Sequence, residues 1–132
     1  MSYKYGFEKL EVWQDARLFV KDIYTITKLF PNDERFNLCA QIQRASISIV
    51  SNIAEGLSRS SEKEKIRFIE IAYGSLMEVY CQIQISADLA YISDQQFDNL
   101  KLSIDKIANK LNALNRSIAN RSVNTLNDNN PK

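Results

Sequence analysis

Near its C-terminal end the chain carries seven apolar residues, Phe97, Leu100, Ile104, Ile107, Leu111, Leu114 and Ile118, at steps of 3, 4, 3, 4, 3 and 4. An α-helix turns once in about 3.6 residues, so it gathers positions so spaced onto one stripe. A strand would scatter them over both faces. A stripe this long needs other helices to cover it, and the rest of the sequence supplies them.

Trp13, Ala16, Val20, Ile23, Thr27 and Phe30 recur at alternating steps of 3 and 4 and predict a first helix over about 11–29. Pro31 stops it, because the residue before a proline is pushed out of the helical region. Asn32-Asp33-Glu34 supplies turn and capping chemistry with one short helical turn. A second helix over about 38–57 carries one apolar line through Ile42, Ala45, Ile49 and Ile53, and another through Ile47, Val50 and Ala54. Gly56 is expected to end it in the left-handed cap conformation. Ser61 with Glu64 forms a capping box opening a third helix, about 62–91. Its heptad-like seam runs from Ile69 through Tyr73, Leu76, Tyr80, Ile83 and Ala87 to Ala90. Phe68, Ala72, Ser75 and Val79 run alongside. Ser93 and Gln96 open the fourth helix, about 94–121, and the polar tail 122–132 is expected to fray. Four helices with short connections predict an all-α fold in one domain, residues 1–121: an antiparallel, up-down-up-down, left-handed four-helix bundle.

Composition removes several alternatives. Three Gly and two Pro cannot supply the turns that an all-β fold needs every 8–12 residues or so. No apolar run approaches the ~18 residues of a membrane span. The start, Met1 to Glu8, has no apolar signal-peptide core, so a cytoplasmic protein is expected. There is no His, and Cys39 and Cys81 stand far apart, which leaves neither a zinc site nor a disulfide framework. Without His, no side chain has an ordinary pKa near neutrality, and acid–base chemistry would require a strongly shifted group. No catalytic residue, metal, cofactor or small-molecule substrate is expected.

Two surface features go beyond what a bundle requires. Helices two and three each have more than one apolar line, and surplus apolar surface marks a protein contact, so the residues predict a homo-oligomer. Helix two also carries a polar line, Gln41, Arg44, Ser48, Asn52 and Glu55, and a fold-back about a turn near Arg59 would bring Arg44 level with Ser75 and close to Glu78. The sharp reading is a ligand or catalytic site on Arg44, Asn52, Glu55 and Glu78. The plainer reading, favoured here, is a hydrogen-bonded and ion-paired seam that fixes helix register or a subunit contact. The net charge of +1 conceals a bias. Between Asn99 and Val123 stand Lys101, Lys106, Lys110, Arg116 and Arg121 against the single acid Asp105. A helical wheel places these bases opposite the apolar seam, as a candidate contact for a phosphate backbone.

The opening Phe7-Glu8-Lys9-Leu10-Glu11-Val12-Trp13-Gln14-Asp15-Ala16 resembles that of a family of small bacterial four-helix-bundle proteins. These are encoded in intervening sequences of large-subunit ribosomal RNA genes. The resemblance continues through Phe30-Pro31, Arg44-Ala45, Asn52-Ile53-Ala54-Glu55-Gly56, Ala72-Tyr73-Gly74-Ser75 and Leu89-Ala90-Tyr91, covering roughly 7–92. It implies a left-handed bundle assembled as a ring, typically of five subunits, with no established activity and no catalytic residues to transfer. A related branch, the accessory proteins of diversity-generating retroelements, forms a basic pentameric ring that binds nucleic acid and a reverse transcriptase. The implied role is a non-enzymatic RNA- or ribosome-associated scaffold or adaptor. The alternative is a module that binds a polymerase-like or other protein partner without nucleic acid.

Overall fold

The computed structural model describes the backbone over residues 3–128 and the side chains over 3–121. Helix α1 spans Glu11–Thr27, α2 Leu38–Leu57, α3 Glu62–Asp88 and α4 Asp94–Asp128. Single 3-10 turns lie at Gly6–Lys9 and Asn32–Glu34, and there is no strand among the described residues. The protein is an all-helical four-helix bundle. α2 and α3 share the most extensive contact and adjacent α1 and α4 the slightest, while the backbones of α1 and α3, and of α2 and α4, do not come close to each other. The helices therefore stand at the corners of a square in chain order. Phe68 lies against Gly56 and Ser75 against Ser48, so the pairing positions descend along α2 as they rise along α3.

Every helix contributes fully buried aliphatic side chains. Ile23, Ile49, Leu76, Ile83, Ile107 and Ile118 are among the largest. Each such side chain contributes about 1.5–3 kcal/mol relative to leaving it in water. Along α4, the 3–4 run is the buried stripe: Leu100, Ile104, Ile107, Leu111 and Ile118 are inside, with Phe97 and Leu114 at its margin. In α1 the inward face is wider than the expected line. Val12, Phe19 and Ile26 join Ala16 and Ile23 inside, while Trp13 is half-buried under the edge of Phe7, 5.1 Å between ring centres. In α3 both expected lines enter the core together, through Ile69, Ala72, Leu76, Val79 and Ile83.

The helix ends show where local chemistry competes with packing. Thr27 closes α1 before Leu29, its hydroxyl donating back to the Ile23 carbonyl at 2.8 Å. The Ser61 hydroxyl accepts from the Glu64 amide at 3.2 Å. The box opening α4 is complete, with the Gln96 amide donating to Ser93 Oγ at 3.1 Å and the Ser93 amide to Gln96 Oε1 at 2.8 Å. Gly56 is not a left-handed cap. No glycine has positive φ, and Gly56 is buried inside α2, where α3 crosses too closely to admit a side chain. Ala90 does not extend α3 either. Its φ is 61°, the Tyr91 amide donates to the Ser86 carbonyl and the Ala90 amide to that of Ala87, both at 2.9 Å. This is a Schellman closure with alanine where glycine is usual. α4 continues past the expected end near 121 to Asp128, and residues 129–132 of the expected polar tail lie outside the described residues.

Candidate functional site

The polar line of α2 divides into parts that point to different neighbours. Ser48 Oγ and Ser75 Oγ lie 2.8 Å apart across the α2–α3 contact. Asn52 Nδ2 donates to the Ser48 carbonyl at 2.8 Å and to Ser48 Oγ at 3.0 Å, completing a half-buried network between two helices. The remaining members look along their own helices. Gln41 donates to Asn37 Oδ1 at 3.2 Å, Glu55 pairs with Arg59 at 2.8 Å, and Glu78 accepts from Gln82 at 3.3 Å. Arg44 is exposed, with no carboxylate at ion-pair distance among the described residues. Arg44, Glu55 and Glu78 thus stand apart as separate surface groups. No cluster of three acidic or sulfur ligands that could hold a metal exists among the described residues.

The α4 bases meet the acids of α1. Lys110 Nζ lies 2.6 Å from Asp15 and 3.0 Å from Glu11, and Lys106 lies 3.4 Å from the other Asp15 oxygen. These bonds hold the Lys110 pKa above its ordinary value, the Asp15 bond first and the Glu11 bond second. Lys101 pairs with Asp105 at 3.1 Å, and that bond raises its pKa as well. Three of the five bases therefore already have carboxylate partners. Lys110, expected to face solvent, is instead half-buried at the α1–α4 seam, because Asp15 reaches it from the facing helix. Arg116 and Arg121 are exposed.

The apolar surplus sits partly where it was expected. Ile47 is exposed, but Val50 packs against the core. Ile71 and Ile85, two heptads apart on α3, are also exposed, as is Leu89 beyond the helix end. Neither α3 line includes them, and only the arrangement of neighbours shows which residues stay uncovered. On the opposite side, Leu18, Leu29 and Leu102 stand exposed about the α1–α4 seam, the loosest in the bundle. A groove of ≈ 360 Å³ runs there between Asp22, Thr25, Leu29, Gln96, Asn99 and Ser103.

A third region surrounds the α1–α2 connection, and the sequence pattern did not single it out. Phe36 is 86% exposed, with the Arg35 guanidinium over its ring at 5.1 Å. It edges a hollow of ≈ 520 Å³ whose walls include Lys28, Phe30, Asn32 and Gln43. Behind it, Phe30 packs on Tyr91 at 5.3 Å and the Tyr91 hydroxyl donates to Glu34 at 3.1 Å. Burial raises the Tyr91 pKa first, and the bond to Glu34 adds to it. Cys39, in the same wall, has its thiol pushed up by burial and then by Glu34.

Fold and surface together define an all-helical four-helix bundle with a Ser48–Asn52–Ser75 network between α2 and α3, ion pairs between α1 and α4, and exposed apolar side chains on both of those faces. Residues 8–113 match the 23S rRNA-intervening sequence proteins, and the chain belongs to that family. Among solved structures, it resembles a protein of unknown function from the S23 ribosomal protein family of Bacteroides thetaiotaomicron. The TM-score is 0.74 over 80% of this chain and 95% of that one, and 23% of residues are identical, a likeness that shows the fold. No curated protein matches.

Proposed function

We propose that the protein is a non-enzymatic bundle that assembles with copies of itself into a ring of five and serves in the cytoplasm as an RNA- or ribosome-associated scaffold or adaptor. The observation that carries this reading is apolar surface left uncovered on two opposite sides. Ile71, Ile85 and Leu89 lie on one side, and Leu18, Leu29 and Leu102 on the other. Two unlike patches on opposite sides favour a head-to-tail contact, which closes into a ring when the rotation per copy divides a full turn. The family resemblance supplies the number five, and the family's genetic setting in 23S rRNA supplies the RNA link. The scattered positions of Arg44, Glu55 and Glu78 and the absence of His argue against acid–base catalysis.

Light scattering at micromolar concentration tests the assembly. A mass five times the 15.2 kDa chain is expected, falling to one chain in Ile85→Lys or Leu18→Glu. A monomeric native protein would remove the ring. Pulldown from the native cell tests the partner, with RNA expected in the complex. A protein partner that persists after ribonuclease treatment would favour the adaptor reading without nucleic acid.

A further inference from the structure

The charges of α1 are sorted by side. All three of its acids turn to α4: Glu11 and Asp15 pair with its lysines, and Asp22 lines the grooves that α1 shares with it. Its bases fall elsewhere. Arg17, Lys21 and Lys28, with Tyr24 among them, recur at steps of 4, 3 and 4, which places them on one outward stripe about 16 Å long at a rise of about 1.5 Å per residue. None of the three has a carboxylate partner among the described residues, and Arg17 lies over the Trp13 ring at 5.5 Å. The bordering flank of α2 adds no opposing charge. Gln43 donates to Thr27 across the seam at 3.0 Å, and its helical neighbours Ala40, Ile47, Val50 and Ala54 are uncharged.

At its C-terminal end the stripe opens into the hollow edged by Arg35 and Phe36. Of the acids on that turn, Glu34 is engaged by Tyr91 and Asn37, which leaves Asp33 as the opposing charge. A row of unpaired cations interleaved with exposed aromatic rings suits a strand whose phosphates lie along the cations and whose bases stack on the rings. The α4 row lacks both properties, since most of its bases are already paired and it carries no exposed ring.

We infer that the outward stripe of α1, continued into the hollow beside Phe36, binds single-stranded nucleic acid. Lys21, Lys28 and Arg35 hold phosphates there, and Phe36 stacks on a base. The inference deepens the nucleic-acid reading above and rests on it, but it does not require the ring. Lys28 and Arg35 flank the hollow, so a base entering it leaves its phosphates within reach of both. Phe36 is 86% exposed and its ring is met by the Arg35 guanidinium rather than by the core, so stacking on a base gives it a role that packing does not.

Fluorescence anisotropy with a labelled single-stranded oligoribonucleotide, its DNA counterpart and the corresponding duplex tests this on the full chain. Lys21→Gln with Lys28→Gln should weaken binding at least about tenfold at low salt and flatten the salt slope by about 0.7 for each phosphate no longer neutralised. Phe36→Ala should weaken it about 5- to 100-fold and leave the salt slope unchanged, as removal of a stacking ring requires. Lys101→Gln with Lys106→Gln should bind as the native protein does, and circular dichroism should show every variant folded. RNA binding more tightly than DNA would identify the natural strand as RNA, and the reverse order would identify it as DNA. Native-like binding by the α1 variants would overturn the site while leaving the RNA reading intact, and a duplex binding as tightly as the single strand would exclude stacking. Absence of any binding by the native protein at low salt would overturn both.

Discussion

Gly56 of α2 faces Phe68 of α3 so closely that a Cβ on the glycine would stand 2.7 Å from the Phe68 Cβ and 3.4 Å from the Lys65 carbonyl oxygen. No ordinary carbon contact is as short as the first of these. The two helices come this close because position 56 carries no side chain to meet the Phe68 Cβ. This explains why a helix-weakening residue sits within α2, one position before its last.

Gly56→Ala sets two effects against each other. Alanine favours a helix over glycine by about 1 kcal/mol. Overpacking a close contact costs about 1–3 kcal/mol, and here the obstructing atom is a Cβ, which cannot swing aside. A net loss of about 1–2 kcal/mol and a Tm lower by several degrees are expected. Gly74→Ala is the control. Nothing lies within 4 Å of its Cβ position, so thermal unfolding of the isolated subunit should show a gain of about 0.5–1 kcal/mol.

Ala90 holds φ at 61° to close α3. A left-handed residue with a side chain costs roughly 1–2 kcal/mol, and glycine removes most of that at some entropic cost in the unfolded chain. Ala90→Gly should therefore stabilise by about 0.5–1 kcal/mol in denaturant melts. An unchanged or lowered midpoint would mean that the closure depends on the alanine methyl.

How far the sequence could be read followed from how local each determinant was. The α3 and α4 starts were legible because the Ser61 and Ser93 caps act within one turn, whereas α2 ends where expected although Gly56, read as its left-handed cap, stays helical. The α3 end was not legible, because Ala90 fits the helical seam by spacing, and only the Schellman bonds show that the chain has already turned. The α2–α3 pairing was legible only to within about a turn, since a fold-back near Arg59 puts Arg44 level with Ser75, whereas Ser48 is the residue that meets it. The fate of the α4 bases was not legible. Lys110 and Asp15 are 95 positions apart and meet across the loosest seam, so nothing near Lys110 in the chain announces its partner. The α1 bases had the right spacing all along, but which cations are left unpaired is decided only once all four helices are in place.

The Ser48–Ser75 network reads as an architectural seam, and a double-mutant cycle can test it. Either serine replaced alone by alanine leaves a half-buried hydroxyl short of a partner, and a cost of about 1 kcal/mol is expected. Replacing both removes donor and acceptor together, so the double variant should lose clearly less than the two singles combined. Additive losses in urea unfolding would show that the hydroxyls do not depend on each other.

Alkaline pH should weaken the fold through two named groups. Lys110 is held protonated by Asp15 and Glu11, and the Tyr91 phenol is held protonated chiefly by burial and then by its bond to Glu34. Both folded-state pKa values are raised, so folding binds these protons more tightly than the unfolded chain does. The stabilisation is complete below the unfolded values, about 10 for Tyr and about 10.4 for Lys, and it is lost as pH rises through the folded values. Urea midpoints measured upward from about pH 9 should decline in the native protein. Tyr91→Phe and Lys110→Gln should each start lower and decline less steeply, because the titrating proton has been removed. An equally steep decline in both variants would assign the alkaline loss to other groups.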